Sequence, residues 1–225
     1  MGAPLLISGW KQLLGSVSPR GESIGAINTV VVKEVNGKRV FHGDNTDWIG
    51  IKRCVEKSGS RDFASSSALV LSAVGDARAA CYAVQTLGFG ELIVVSRTLS
   101  KAEELASRFP DLKTRSFATL EEVATAKDAQ IRLIVPCVPA DDLGADKILS
   151  GLFSGTEDGL LVEMAYRPQV TGMMTVAERC PGWKVYRGVD VLEEQAYAQF
   201  ELWIGREAPV EAMRGAMQAK LKEKI

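Results

Sequence analysis

The stretch from Ala68 to Lys101, reading ALVLSAVGDARAACYAVQTLGFGELIVVSRTLSK, constrains the fold more than any other part of the chain. Ala68 to Leu71 is an apolar run short enough for a strand buried on both faces, and Ala77 to Leu87 switches to the small and apolar spacing of a helix packed on a sheet. Glu91 to Val95 supplies a second buried strand, completing a strand, turn, helix, strand unit of nucleotide-binding outline. The turn inside that unit reads Ser72, Ala73, Val74, Gly75, Asp76. A dinucleotide loop needs glycines, because the backbone must turn tightly and approach a pyrophosphate seated on the helix N-terminus. With a single glycine here, the fold signal is strong and the cofactor signal is damaged.

Units of the same kind follow. The pattern predicts a helix over Leu99–Phe109, a weak strand near Lys113–Phe117, a helix over Leu120–Ala126, a strand over Gln130–Val135, a helix over Asp141–Leu149 and a strand over Gly159–Met164. Trp183–Tyr186 reads as a last strand, and Val191–Gly205 and Val210–Leu221 read as amphipathic helices separated by Pro209. Regular alternation of this kind predicts an α/β fold with a Rossmann-like, doubly wound parallel sheet.

Ahead of this region, Arg61–Ser67 is polar and small and reads as a linker. The opening residues, 1–23, hold Pro4, Pro19 and a run of Gly and Ser, and read as a short apolar segment followed by loop. From Ile24 two β-rich arms, IGAINTVVV and KRVFHG, flank Asn36-Gly37, the strongest short hairpin signal. GDNTDWIGIKRC then opens a helix in which Asn45, Thr46 or Asp47 can serve as cap; composition favours a cap over a catalytic carboxylate for Asp47.

Composition excludes several classes of function. The charges are interspersed and sum to −1, so no basic face for nucleic acid is expected, and no apolar run is long enough for a bilayer. The four cysteines, Cys54, Cys81, Cys137 and Cys180, form no CxxC pair, and His42 is the one histidine, so no metal site, disulfide framework or histidine-based triad is expected. His42 reads as an ordinary exposed strand residue. The expected location is intracellular, in cytoplasm or nucleus.

Six strings occur in order: IGAINTV, GDNTDW, the Rossmann-type unit, SRTLSK, EMAYRPQVT and GVDVLEEQAYAQFELWIG. Together they resemble the shikimate dehydrogenase family, in the form that ends the fungal multifunctional shikimate-pathway polypeptide. The resemblance implies a small α/β domain that binds shikimate, a Rossmann domain that binds NADP, and hydride transfer in the cleft between them. Its catalytic aspartate falls on Asp47. Asn28, Thr46, Tyr166 and Gln195 fall on substrate contacts, and Gly75, Arg97, Thr98 and Lys101 on cofactor contacts. Residues 1–60 then correspond to the later part of the substrate domain, 61–190 to the NADP-type domain, and 191–225 to helices that pack back on the first part.

Three departures from the family pattern carry the functional expectation. The family lysine, in a string resembling VTIPLK, falls on Leu6, with Lys11 nearby but out of register. The glycine loop, resembling GAGGxAR, has Val74 and Asp76 opposing cofactor binding. The first part of the family's substrate domain would lie before Met1, leaving a remnant of that domain. A chain with these losses resembles the fungal quinate-pathway repressor. That resemblance implies an inactive, regulatory domain that contacts a transcriptional activator of the quinate pathway, senses a shikimate- or quinate-like metabolite, does not touch nucleic acid or membrane, and holds no cofactor tightly. The competing expectation is an active NADP-dependent shikimate or quinate dehydrogenase with a variant loop.

Overall fold

The computed structural model describes residues 5–6, 13–60, 62–72, 75–126 and 128–222. Val74 and Lys11 lie outside the described residues, and of Leu6 only the backbone pairing is described.

The first part is built on short strands. β1 (Leu5–Leu6) pairs antiparallel with β3 (Ala26–Ile27). Between them, β2 (Ser16–Val17) leads into α1 (Pro19–Ile24), a helix where the sequence predicts loop. The proline that argued for loop sits at the first helical position, where its missing N–H is harmless and its fixed φ suits the helix. Ser18 caps it, its Oγ accepting from Gly21 N at 2.9 Å. The predicted hairpin forms as β4 (Thr29–Val35) and β5 (Lys38–Asp44), paired antiparallel. Asn36 at φ 51° and Gly37 at φ 73° supply the left-handed pair that a two-residue hairpin turn needs. His42, on β5, is partly exposed and hydrogen-bonded through Nδ1 to Ser16 Oγ at 2.8 Å. The chain then enters α2 (Asp47–Lys57).

The larger part alternates strand and helix: β6 (Ser67–Leu71), α3 (Gly75–Leu87), β7 (Glu91–Val95), α4 (Leu99–Ala106), β8 (Lys113–Phe117), α5 (Leu120–Thr125), β9 (Ile131–Pro136), β10 (Gly159–Val162), α6 (Gly172–Ala177), β11 (Trp183–Tyr186), α7 (Gly188–Ile204) and α8 (Val210–Lys222). Among the described residues β6–β11 form a six-stranded sheet in the order β8-β7-β6-β9-β10-β11, with every neighbouring pair parallel. Strand order reverses between β6 and β9, the place where doubly wound sheets open a crevice at the carboxyl ends of their strands.

The sheet is buried on both faces because its central strands are apolar at successive positions. Val70, Leu92, Val94, Leu133 and Val135 face a core that includes Ala80, Cys81 and Val84 of α3 and Ile51, Cys54 and Val55 of α2. Leu69, Ile93, Ile134 and Leu161 face the opposite core, with Leu152, Phe153, Met173, Met174 and Trp183. α3 and α4 cover the first face and α5 and α6 the second, the change of face that right-handed crossovers on the two sides of the order reversal require.

The helix predicted over Asp141–Leu149 is absent. Short 3₁₀ turns occupy Ala140–Asp142, Ala145–Lys147 and Ser150–Phe153 instead. Gly144 interrupts the run, and an interior glycine costs a helix about 1 kcal/mol. In the other direction, α6 was not predicted. It is started by Thr171, whose Oγ1 accepts from Met174 N at 3.2 Å, and held by burial of Met173 and Met174. No described helix is long and apolar enough to cross a membrane.

Candidate active site and cofactor cleft

β4, β5, α2 and α7 bring residues from distant parts of the chain into one polar network. Asn28 Nδ2 donates to Thr46 Oγ1 at 3.0 Å, and Thr46 Oγ1 donates to Gln195 Oε1 at 2.8 Å. Thr29 Oγ1 donates to Asn28 Oδ1 at 2.7 Å and accepts from Gln199 Nε2 at 3.0 Å. Thr29, Thr46 and Gln195 are each no more than 2% exposed, so these groups depend on one another for satisfaction. The sequence reading named Asn28, Thr46 and Gln195 and missed Thr29 and Gln199. Gln199 lies four residues after Gln195, on the same face of α7, and that spacing was the available signal.

Thr46 occupies the N-cap position of α2, yet its hydroxyl makes no capping bond because it is committed to Asn28 and Gln195. Asn45 takes over locally, its Oδ1 accepting from Asp47 N at 3.0 Å while its Nδ2 donates to Ala26 O at 3.1 Å. The capping role that composition favours for Asp47 is therefore wrong. Asp47 is 0% exposed, and neither carboxylate oxygen has a hydrogen-bond partner among the described residues. Burial pushes its pKa from 3.8 up to about 7, and the charge of Asp76 adds to the rise; Asn28, outside hydrogen-bonding geometry, offsets part of it. Composition could not show this, because the desolvation comes from elements that pack over Asp47 from elsewhere in the chain.

Tyr166 stands half-buried in the segment after β10, with the Arg167 guanidinium 5.9 Å from its ring. Glu163 shapes that segment, accepting from Thr171 Oγ1 at 2.7 Å and Ala165 N at 2.9 Å. A methyl group placed on Gly188 would lie 2.7 Å from Tyr166 N, so the start of α7 rests on this backbone.

The crevice at the β6/β9 reversal is a cleft of about 550 Å³. Ser72 and Cys137 line it, and Arg97, Thr98, Lys101 and Lys147 bring cationic and hydroxyl groups to its rim beside the carboxylates of Glu121 and Asp142. Arg97 is almost fully exposed and lies 3.9 Å from Asp142. The cationic rim fits the adenosine-phosphate half of an NADP-type cofactor. The first turn of α3 does not fit the pyrophosphate half. Asp76 sits there partly buried, with its pKa raised by burial, where a phosphate would need an uncharged, glycine-built cradle.

Ser72 leaves β6 with φ at 114°, a conformation that glycine adopts freely and a residue with Cβ does not. Its N–H is tied to Val95 O at 2.8 Å, so the sheet holds the turn in a glycine-type backbone. Ser72→Gly should therefore stabilise the protein by about 1 kcal/mol, against the usual sign for glycine. Denaturant unfolding reads this directly, and a destabilised variant would show that the turn carries no such strain.

Comparison with known proteins agrees with this geometry. Residues 188–218, spanning α7 and most of α8, match the family model described as Shikimate 5'-dehydrogenase C-terminal domain. The pentafunctional AROM polypeptide of Malassezia globosa is 38% identical over 205 residues, covering 88% of this chain and 13% of that polypeptide. The chain is shikimate dehydrogenase-like. It is homologous to the shikimate dehydrogenase part of the AROM polypeptide. Among solved structures, the dehydroquinate dehydratase and shikimate dehydrogenase from S. pombe AroM superposes with a TM-score of 0.73 at 30% identity, covering 92% of this chain and 40% of that one. Shikimate 5-dehydrogenase from Thermus thermophilus, solved with NADP(H) and shikimate, gives a TM-score of 0.72 at 29% identity, covering 94% of this chain and 74% of that one. The shikimate dehydrogenase-like chain thus spans a small share of its multifunctional relatives and about three quarters of a single-function one.

Proposed function

We propose that this shikimate dehydrogenase-like domain no longer transfers hydride and acts in regulation, as the corresponding part of a repressor of quinate use. In this reading it binds a hydroxylated ring at the Asn28–Thr46–Gln195 network and contacts a transcriptional activator. The observation that carries the reading is Asp47, buried with both oxygens unpartnered and opposed by the charge of Asp76. Oxidising a hydroxyl carbon by hydride loss requires a group that takes the hydroxyl proton, and a lysine–aspartate pair positions that group. Here the resemblance puts Leu6 in the lysine's place, and Asp76 brings a second carboxylate to the site.

The decisive measurement is turnover. Full-length protein given shikimate or quinate with NADP or NAD should show no rise at the nicotinamide absorbance band above a protein-free blank. Calorimetry on Asp76→Gly adds a binding readout: NADP should bind more tightly to the variant than to the parent chain. The cationic rim of Arg97, Lys101 and Lys147 favours a second reading, an NADP-dependent shikimate or quinate dehydrogenase with a variant turn. Turnover above the blank would establish that reading and overturn ours.

A further inference from the structure

Two arginines converge at the end of α1 with no carboxylate close enough to bond them among the described residues. Gly25 ends that helix at φ 74°, and a methyl group placed on it would lie 2.5 Å from Nη2 of Arg108 and 2.9 Å from Nη1 of Arg78. Arg78 comes from the start of α3 and Arg108 from just past the end of α4, so the pair marks the place where α1, α3 and α4 meet. The Arg78 side chain is 14% exposed, and its Nε is buried with no acceptor among the described residues. Its ion pair with Glu104 spans 3.8 Å, beyond hydrogen-bonding distance, and Glu104 is itself largely exposed. Arg108 is exposed and commits one donor to Ser23 O, at 3.4 Å.

Like charges gathered at a partly desolvated place repel, and an anion set between them relieves the repulsion. Burial, and then the charge of Arg108, lower the pKa of Arg78, in accord with that geometry. A guanidinium presents five donors in a planar fork that matches carboxylate and phosphate oxygens. One carboxylate balances one of these two cations. A phosphate dianion balances both and has the oxygens to take a fork from each. Ser23, Glu104 and Arg108 are open to solvent, so the place can be reached from outside the fold. Gly25 keeps it clear, since a side chain there would collide with both guanidiniums.

We propose that Arg78 and Arg108, beside the Gly25 end of α1, form a binding site for a phosphate dianion, free or carried as a small monoester. The site is separate from the cleft at the β6/β9 reversal, whose cationic rim is built from Arg97, Lys101 and Lys147. Bound phosphate bridges α3 to the end of α4. The site does not depend on whether the domain transfers hydride, so turnover of shikimate or quinate leaves it untouched.

Calorimetric titration of the full chain with inorganic phosphate, at about pH 8 and constant ionic strength, should saturate with a dissociation constant on the order of 1 mM. Arg108→Gln, checked for an unchanged circular dichroism spectrum, should weaken binding at least about tenfold. Arg97→Gln, which alters the rim of the cleft, should leave it unchanged. Methyl sulfate, a monoanion of similar shape, should bind the parent chain at least about tenfold more weakly than phosphate. Glycerol 3-phosphate separates the two sources: tighter binding than inorganic phosphate assigns the site to a monoester and weaker binding to the free ion, and either order supports the proposal. A titration that does not saturate, undiminished affinity in Arg108→Gln, methyl sulfate bound as tightly as phosphate, or binding lost in Arg97→Gln would each overturn it, the last by placing the anion in the cleft.

Discussion

Asp47→Asn raises the melting temperature by several degrees at about pH 8 and changes it little at about pH 4. The sign follows from proton linkage. Asp47 titrates at about 7 in the folded chain against 3.8 when unfolded, because burial and then Asp76 disfavour its charge. A carboxyl that holds its proton more firmly when folded contributes stability below its unfolded pKa, and that contribution is lost as pH rises through the folded value. The difference corresponds to a loss of the order of 4 kcal/mol by about pH 7, at about 1.4 kcal/mol per pH unit. Asparagine keeps the shape and carries no charge to desolvate, so the variant lacks this slope. Melting curves across the pH range in both proteins make the comparison. A variant that is less stable than the parent at about pH 8 would mean that an ammonium pairs with Asp47, as in an active site of the family type, and would refute the regulatory reading.

Gly50→Ala costs about 1–3 kcal/mol and removes binding at the polar network. Gly50 lies on α2 where α7 crosses it, and an added methyl would sit 2.6 Å from Val191 O, 3.0 Å from Val191 Cγ1 and 3.1 Å from Gln195 Cβ. The first of these is backbone and cannot rotate away, so the helices must part. Thr46 is on one side of that contact and Gln195 on the other, joined by a hydrogen bond of 2.8 Å. A separation of a few tenths of an ångström stretches this bond beyond good geometry and leaves both buried groups poorly satisfied. Urea unfolding gives the stability loss, and calorimetric titration with shikimate or quinate gives the binding loss. A variant that keeps full affinity would show that the helix spacing does not set the site.

Much of this was legible in the chain. The Ala68–Lys101 unit, the Asn36-Gly37 hairpin and the strands at Glu91–Val95 and Trp183–Tyr186 are formed where local patterning predicts them. Of the three helical misreadings, those of α1 and of Asp141–Leu149 turn on where proline and glycine sit, whereas α6 is set by its Thr171 cap and by burial of Met173 and Met174. Pro19 starts α1 at the one place where proline favours a helix, while Gly144 divides the segment that the alternation of elements assigned to a helix. The site residues Asn28, Thr46 and Gln195 came from the resemblance, and Gln199 was within reach of helical spacing.

Backbone geometry is local, so strand and helix periods, caps and turn residues can be read along the chain, and with them the parallel α/β architecture. The state of Asp47 cannot be read that way. Its role changed from cap to unpartnered, desolvated acid because α3 brings Asp76 toward it and distant elements exclude water from it. The same holds for the Thr46–Gln195 bond, made across 149 positions, and for Ser72, held at φ 114° by the sheet around it. Desolvation, charge proximity and imposed backbone strain are properties of what packs together, and sequence order carries no measure of them.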